Sequence, residues 1–405
     1  MRSTDSTITD EGADAPETHA LLTRRTDAIE ESGWGNRFHL FQPRNVCLWI
    51  YLLLLAMGAR QLYELAAPTA GVFAEANLAA VGSAGVFCLV FLLFLHHADR
   101  YERTPALLAV TAFVGGGIGA PWAMALSGNG ALMNLYAKSF GQAWATDWRA
   151  GLSAPFVEET AKGAVFVLLL GLAPLVIRTV YDGLIVGAYV GLGFQVLEDM
   201  LYGQQSAYQS FGIHQVDSVL QTFVLRSATG VASHAMYTAL FSAGVIYLVG
   251  TRAQPRRIGR GLLLALTAMV LHGVWDSMPA VADGNALGVI LLMVLITVTS
   301  VVVLFVALRW GARRERGWLR DVLAPEVANG TITEVELLAV AGEREHRRRD
   351  RKAAVSGRSD GVTRRREKHV LAASLDLAHD LSTGKGQDTP QVEHSRAEIH
   401  RLRGR

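Results

Sequence analysis

The sequence predicts an all-α polytopic membrane protein with about eight transmembrane helices and a cytoplasmic helical tail, and three observations carry that prediction. Of the 405 residues 51% are hydrophobic, and they come in blocks rather than spread along the chain. Apolar runs of roughly 20 residues fill the stretch from about 45 to 310, each long enough to cross a hydrocarbon core about 30 Å thick as a helix. Polar sequence flanks these runs on both sides, from Met1 to Arg44 and again after about Arg309. The expected division is therefore 1–44, a disordered cytoplasmic tail; 45–310, the membrane domain; and 311–405, a basic helical tail.

In chain order, residues 1–44 are rich in Ser, Thr, Asp and Glu, a composition that favours disorder. They lack the basic start and immediate apolar core of a cleaved signal peptide, so the first span is expected to act as an uncleaved anchor. Eight spans are then predicted, over 46–66, 77–95, 104–127, 153–177, 180–203, 218–250, 261–281 and 286–308. The first carries Arg60 and Glu64, four apart and able to pair on one helix face. Cys47 and Cys88 sit in apolar runs without metal-type spacing and read as small hydrophobes. In the third span the run Gly115-Gly116-Gly117-Ile118-Gly119 has no preceding strand, so it points to close helix packing rather than phosphate binding. The sixth stretch is too long for one crossing; 216–228, with Arg226, is expected to be an interfacial elbow, and the span proper to start near Ser227. No P-loop, dinucleotide fingerprint or zinc ribbon is present.

Orientation follows from Lys and Arg, which are retained on the cytoplasmic side in short loops. Arg100 and Arg103 follow span two, Arg178 span four, Arg252, Arg256, Arg257 and Arg260 span six, and Arg309, Arg313, Arg314 and Arg316 span eight. The loops 67–76, 204–217 and 282–285 have no Lys or Arg, and 128–152 has Lys138 and Arg149 alone. Both termini are thus expected inside. Beyond the last span, Thr333 and Glu336 have capping-box spacing at a helix start, and Glu367 to Leu381 forms an amphipathic run. Between them lie Arg347, Arg348 and Arg349, followed by Arg364, Arg365 and Arg366, a basic stretch expected to lie near anionic headgroups rather than on nucleic acid.

The chemistry is expected where ionisable side chains enter the spans, because charge at membrane depth is costly and marks working sites. Span four holds Glu158, Glu159 and Lys162; span five Asp182, Glu198 and Asp199; span six His234 and Thr238; span seven His272 and Asp276. Glu158 and Lys162, Glu198 and Tyr202, His234 and Thr238, and His272 and Asp276 are each i, i+4 and share a helix face. Counting residues from the predicted span ends puts Glu158, Glu159, Glu198, His234 and His272 at about 8–13 Å below the outer boundary. Carboxylates, an ammonium and two imidazoles in a low-dielectric bundle are the parts of a hydrolytic site. One of the glutamates could be the general base, with histidine donating to an oxyanion. Alternatively His234, His272 and Glu198 are a ligand set for a divalent metal, zinc first, with a second glutamate as base.

The ordered set Glu158-Glu159-Thr160-Ala161-Lys162, Phe194-x-x-x-Glu198-Asp199, His234-x-x-x-Thr238 and His272-x-x-x-Asp276 resembles the PrsW family of intramembrane proteases, within the superfamily of CAAX prenyl endopeptidases. The resemblance covers roughly residues 45–310, the catalytic spans being those between 153 and 281. It implies that Glu158 or Glu159 activates water, that Glu198 and His234 complete the site, and that His272 stabilises the oxyanion or binds metal, with Lys162, Asp199, Thr238 and Asp276 in support. The wider superfamily usually has Asn four residues after the last His, where this chain has Asp276. The implied substrate is a single-pass membrane protein such as an anti-sigma factor, cut near the outer face of a bacterial plasma membrane. Two other classes share some of these features. A proton- or ion-coupled transporter predicts internal repeats and midplane sites, and neither is found; a non-catalytic scaffold predicts a decayed site, whereas both Glu and both His are present.

Overall fold

The computed structural model describes residues 14–230, 233–342 and 361–404, and among them every regular element is a helix. The order is α1 Asp14–Ser32, α2 Val46–Ala66, α3 Ala74–Ala98, α4 Ala106–Ile118, α5 Ala120–Phe140, α6 Gln142–Leu172, α7 Val180–Gln209 and α8 Gln215–Thr229. There follow α9 Ser233–Val249, α10 Ile258–Asp276, α11 Met278–Val281, α12 Ala286–Ala328, α13 Glu334–Ala341, α14 Gly361–Thr383 and α15 Pro390–Arg403. The chain divides into two compact units, Arg37–Gly311 and a second made of Met1–Asn36 with Ala312–Arg405.

Within Arg37–Gly311 the expectation of a multi-pass membrane protein holds, with a smaller number of qualifying helices. Six helical stretches among the described residues are long and apolar enough to cross a membrane, or seven if the bent pair α8 and α9 is one crossing. The predicted fourth span, α6, is not among them, because Glu158, Glu159 and Lys162 interrupt its apolar run. The predicted third span is two helices broken at Gly119, where Pro121 opens α5. Most of the expected loop 128–152 is helical as well: α5 runs to Phe140, Gly141 turns the chain at φ +90°, and α6 begins at Gln142. That φ falls in the region open mainly to glycine. The elbow expected before span six is α8, bent by 42° from α9, which begins at Ser233 rather than Ser227.

α7 is the central helix. Its most apolar stretch is 89% buried in the protein, against 11% for α12, whose side chains face outward. Thr179 and Asp182 form a capping box at its start, which makes Asp182 a structural carboxylate. Small residues then let neighbours close in. A Cβ on Gly191 would lie 2.2 Å from the His234 carbonyl oxygen, and Gly187 and Gly183 meet α9 one and two turns earlier. On the opposite side Gly116 packs against the Val190 carbonyl, which is the helix contact that the triple-glycine run predicted. Arg60 and Glu64 pair at 2.8 Å on the exposed face of α2, and Cys47 and Cys88 are partly buried free thiols.

The second unit corrects the expectation of a disordered N-terminal tail, since residues 14–32 form α1. Ala28 and Ile29 are buried, and the Arg25 guanidinium donates to the Val322 carbonyl oxygen at 2.9 Å and to Glu326 Oε1 at 2.7 Å. The composition of α1 is too polar for it to be stable alone; partners nearly 300 residues away hold it. Thr333 and Glu336 form the expected capping box of α13. In α14 Val370, Leu371, Leu377, Ala378 and Leu381 are buried, as the amphipathic pattern predicted. Arg347, Arg348 and Arg349 lie outside the described residues.

Candidate active site

α6 lifts its carboxylates out of a helix that contains Pro155, whose missing N–H removes one backbone bond from the turn just before them. Glu159, fully buried, is the most tightly held. Its Oε1 accepts from Lys162 Nζ at 2.6 Å and lies 3.1 Å from His272 Nδ1, while Oε2 accepts from Thr238 Oγ1 at 3.0 Å. Glu158 is held differently. Asn129 Nδ2, from α5, donates to its Oε1 at 3.1 Å, and its Oε2 has no hydrogen-bond partner although it is buried. That free oxygen lies 3.7 Å from Lys162 Nζ and 3.8 Å from His272 Nε2.

The two histidines sit ring to ring, 4.9 Å apart between α9 and α10. Lys162 Nζ is 3.1 Å from His234 Nδ1, and an ammonium only donates, so Nδ1 accepts and the hydrogen is on Nε2. His234 Nε2 then donates to Glu198 Oε2 at 3.0 Å. Arg226 of α8 reaches the same Glu198 Oε2 at 2.7 Å, pairs with Asp199, and lies over the Tyr202 ring. His272 has Glu159 on one nitrogen and Asp276, at 3.3 Å, on the other; the Tyr237 ring stacks on it. Lys162 lies over the Phe194 ring, which also packs edge-on against His234. Gln195, between α7 and α9, donates to the Gly230 carbonyl and accepts from the Ala235 N–H, tying down the chain just before and after the break.

Apart from Asp182, which caps the start of α7, the ionisable residues singled out in spans four to seven therefore meet in one cluster. Of the four i, i+4 pairs, Glu158 with Lys162 and His272 with Asp276 touch, at 3.7 and 3.3 Å. His234 and Thr238 share Lys162 and Glu159 as partners instead, and Tyr202 reaches Glu198 through Arg226. The site also includes residues beyond those expected, among them Arg226, Asn129, Tyr237, Gln195 and Trp122, which stacks on Phe194 at 5.8 Å. Arg226 was legible as an ionisable residue among apolar ones. Asn129 and Trp122 had no such signal, because Asn129 falls past the predicted end of its span.

Glu158, His234 and His272 offer ligand atoms within 4.8 Å of one another and could hold a metal ion. The expected set had Glu198 in place of Glu158, but Glu198 is engaged by His234 and Arg226 on its Oε2. Three features of the cluster fit a divalent cation. The Glu158 Oε2 atom is buried and unpartnered. His234 is oriented by a carboxylate, Glu198, on one nitrogen, as in metal sites with a carboxylate behind the histidine, and His272 by Glu159 on Nδ1 with Asp276 3.3 Å from Nε2. Lastly, five carboxylates, Glu158, Glu159, Glu198, Asp199 and Asp276, face the two fixed cations Lys162 and Arg226, which leaves a surplus of negative charge. The Lys162 ammonium, between His234 Nδ1 and Glu158, marks where positive charge is favoured.

A cavity of about 430 Å³ adjoins this cluster, lined by Glu158 and Glu198 together with Leu65, Trp122, Leu126 and Tyr202. A family model described as PrsW family intramembrane metalloprotease matches residues 104–307, about half of the chain and all of the helices that build the cluster. No curated protein and no solved structure matches the chain.

Proposed function

The chain belongs to the PrsW family of intramembrane metalloproteases, and on that premise we propose that it hydrolyses a peptide bond of a membrane-embedded protein at the cluster of Glu158, Glu159, His234 and His272. The observation that carries the assignment is Glu158 Oε2, a buried carboxylate oxygen without a hydrogen-bond partner, 3.8 Å from His272 Nε2, on a residue that lines the cavity. Glu158 is the carboxylate placed to take a proton from the attacking water. Asn129 fixes its other oxygen, so Oε2 is the one that works. Glu159, with both oxygens engaged, orients Lys162 and His272 rather than reacting.

His272 would donate to the oxyanion of an attacked amide from Nε2, which lies 3.8 Å from Glu158 Oε2 and 3.3 Å from Asp276, and Lys162 supplies positive charge beside Glu158. Glu198, neutralised by Arg226, holds the tautomer of His234. In the alternative, metal-dependent form, Glu158, His234 and His272 would hold a divalent cation, zinc being the best chemical match to two imidazoles and a carboxylate, and Glu158 Oε2 and His272 would then be ligands instead of base and donor. When bound, such an ion polarises water and carbonyl as a Lewis acid.

The substrate class we propose is a single-pass membrane protein of the anti-sigma-factor kind, reached from within a bacterial plasma membrane. The loop charges favour an outer-side cleavage with both termini in the cytoplasm, and the basic tail, Arg364 to Arg366 included, suits a surface of anionic headgroups. The test is a reconstituted full-length chain with a co-inserted single-pass reporter. Cleavage that disappears in Glu158→Gln, disappears on chelation and returns with zinc supports the reading; cleavage by Glu158→Gln at the wild-type rate overturns the site assignment.

A further inference from the structure

The cavity beside Glu158 contains more unused hydrogen-bonding capacity than the cluster itself needs. Among the described residues, three that line it each carry a buried polar atom without a hydrogen-bond partner: Glu158 Oε2, Asn129 Oδ1 and Trp122 Nε1. Trp122 is 7% exposed, and its ring is fixed by stacking on Phe194 at an interplanar angle of 29°. The Asn129 amide is oriented by chemistry: its nitrogen must face the Glu158 carboxylate, so its oxygen faces elsewhere. A buried donor or acceptor left unpaired costs about 1–3 kcal/mol. One helix face carrying one donor and one acceptor in that state is a complementary pair awaiting a ligand.

A peptide bond inside a membrane helix has its N–H and C=O already bonded within the helix. To be attacked, its segment must unwind, which frees several backbone groups in a medium where each unpaired one costs several kcal/mol. We propose that Trp122 and Asn129 bind the unwound backbone of the substrate, with Trp122 Nε1–H donating to a substrate carbonyl oxygen and Asn129 Oδ1 accepting a substrate N–H. This rests on the hydrolytic reading of Glu158 and adds to it the face that receives the cleaved strand.

The spacing suits an extended chain. Trp122 and Asn129 are seven residues apart on α5, roughly 10 Å along the axis. An extended strand covers that distance in about three residues. Since Asn129 donates to Glu158, the scissile bond lies at the Asn129 end, with the Trp122 contact about three residues away. The apolar walls, Leu65 and Leu126, then meet the side chains, so recognition falls on backbone availability more than on sequence.

The test uses the full-length chain in bilayers with two biotinylated transmembrane peptides, one with a central Gly-Pro pair that interrupts its helix and one of uninterrupted Leu and Ala. Capture through a photoreactive residue in place of Leu126 and formation of peptide product are read in the same reaction. The Gly-Pro peptide is expected to be captured in preference to the uninterrupted one, and its capture to fall about tenfold in Trp122→Phe and in Asn129→Leu, the loss of roughly one hydrogen bond. Trp122→Phe keeps the stacked ring, and Trp310→Phe, at an exposed position, is the control. Equal capture by wild type and both variants, or equal capture of the two peptides, overturns the backbone-binding face while leaving any cleavage, and the hydrolytic reading, intact. Capture that depends on both residues but gives no product upholds the face and overturns the hydrolytic reading.

Discussion

Lys162 and His234 meet at 3.1 Å, with the ammonium facing Nδ1 of the ring. That contact fixes the imidazole with its hydrogen on Nε2 toward Glu198, and it links the α6 carboxylates to those of α7 through two cations, Lys162 and Arg226. Lys162→Met is expected to lower reporter cleavage about 10²-fold or more, the scale for loss of a positioned charge at a reacting centre. It also leaves Glu159 buried with its strongest partner gone, a change of about 3–5 kcal/mol. A thermal melt beside the cleavage assay checks both; wild-type cleavage by this variant would remove Lys162 from the mechanism.

Arg226 is expected to act by positioning. It touches Glu198 and Asp199, and Glu198 in turn orients His234. Arg226→Met should reduce zinc affinity, measured directly by competition with a chromophoric chelator, by about 10- to 100-fold, as loss of partners behind a ligand does. Arg226→Lys should recover part of this, since it keeps the charge but loses the two-point grip. Unchanged affinity in Arg226→Met argues that Glu198 holds His234 without help.

Gly191 lies far from the reacting atoms in function yet against them in space. Its missing Cβ is what lets α7 approach the His234 carbonyl, where a methyl would sit 2.2 Å from the oxygen. Gly191→Ala should push α9 away, destabilise the fold by about 1–3 kcal/mol and impair cleavage with every ionisable residue in place. Ala at Gly71, which has open space around its Cβ position, is the matched control.

The second unit carries its own pH dependence. Burial pushes the Glu326 carboxyl up, but hydrogen bonds from Arg396 and Asn329 and the charge of Arg25 outweigh it and hold the group at about 2. A depressed carboxylate stabilises above its unfolded value, about 4.5, and that contribution is lost as pH falls towards 2. The loss is on the order of 3 kcal/mol. Amide-exchange protection in α1 and α15, taken relative to the intrinsic rate at each pH, should therefore fall between pH 4.5 and 2, and Glu326→Gln should show the lower protection already at neutral pH. Glu326 is far along α12, a helix of 43 residues that at about 1.5 Å each is twice as long as a bilayer core is thick.

What the sequence determined by itself was the class of molecule and the ionisable groups that gather in one cluster. Apolar length is a local property, so α2, α3, α7 and α12 were legible from composition, and ionisable residues within apolar runs stood out because their burial needs a reason. Glycine at every fourth residue, Gly183, Gly187 and Gly191, is an equally local signal for the α7 packing face. Tertiary structure decided the rest, because hydrogen-bond pairing depends on side-chain direction across helices. It distinguished Glu158, with one oxygen free of hydrogen bonds, from Glu159, with both oxygens taken. It brought Arg226 to Glu198 and placed Asn129 against Glu158, which needed α5 to continue past the point where hydropathy ends it. It also folded α1 into helix through Arg25, whose partners are nearly 300 residues away and leave no trace in local composition.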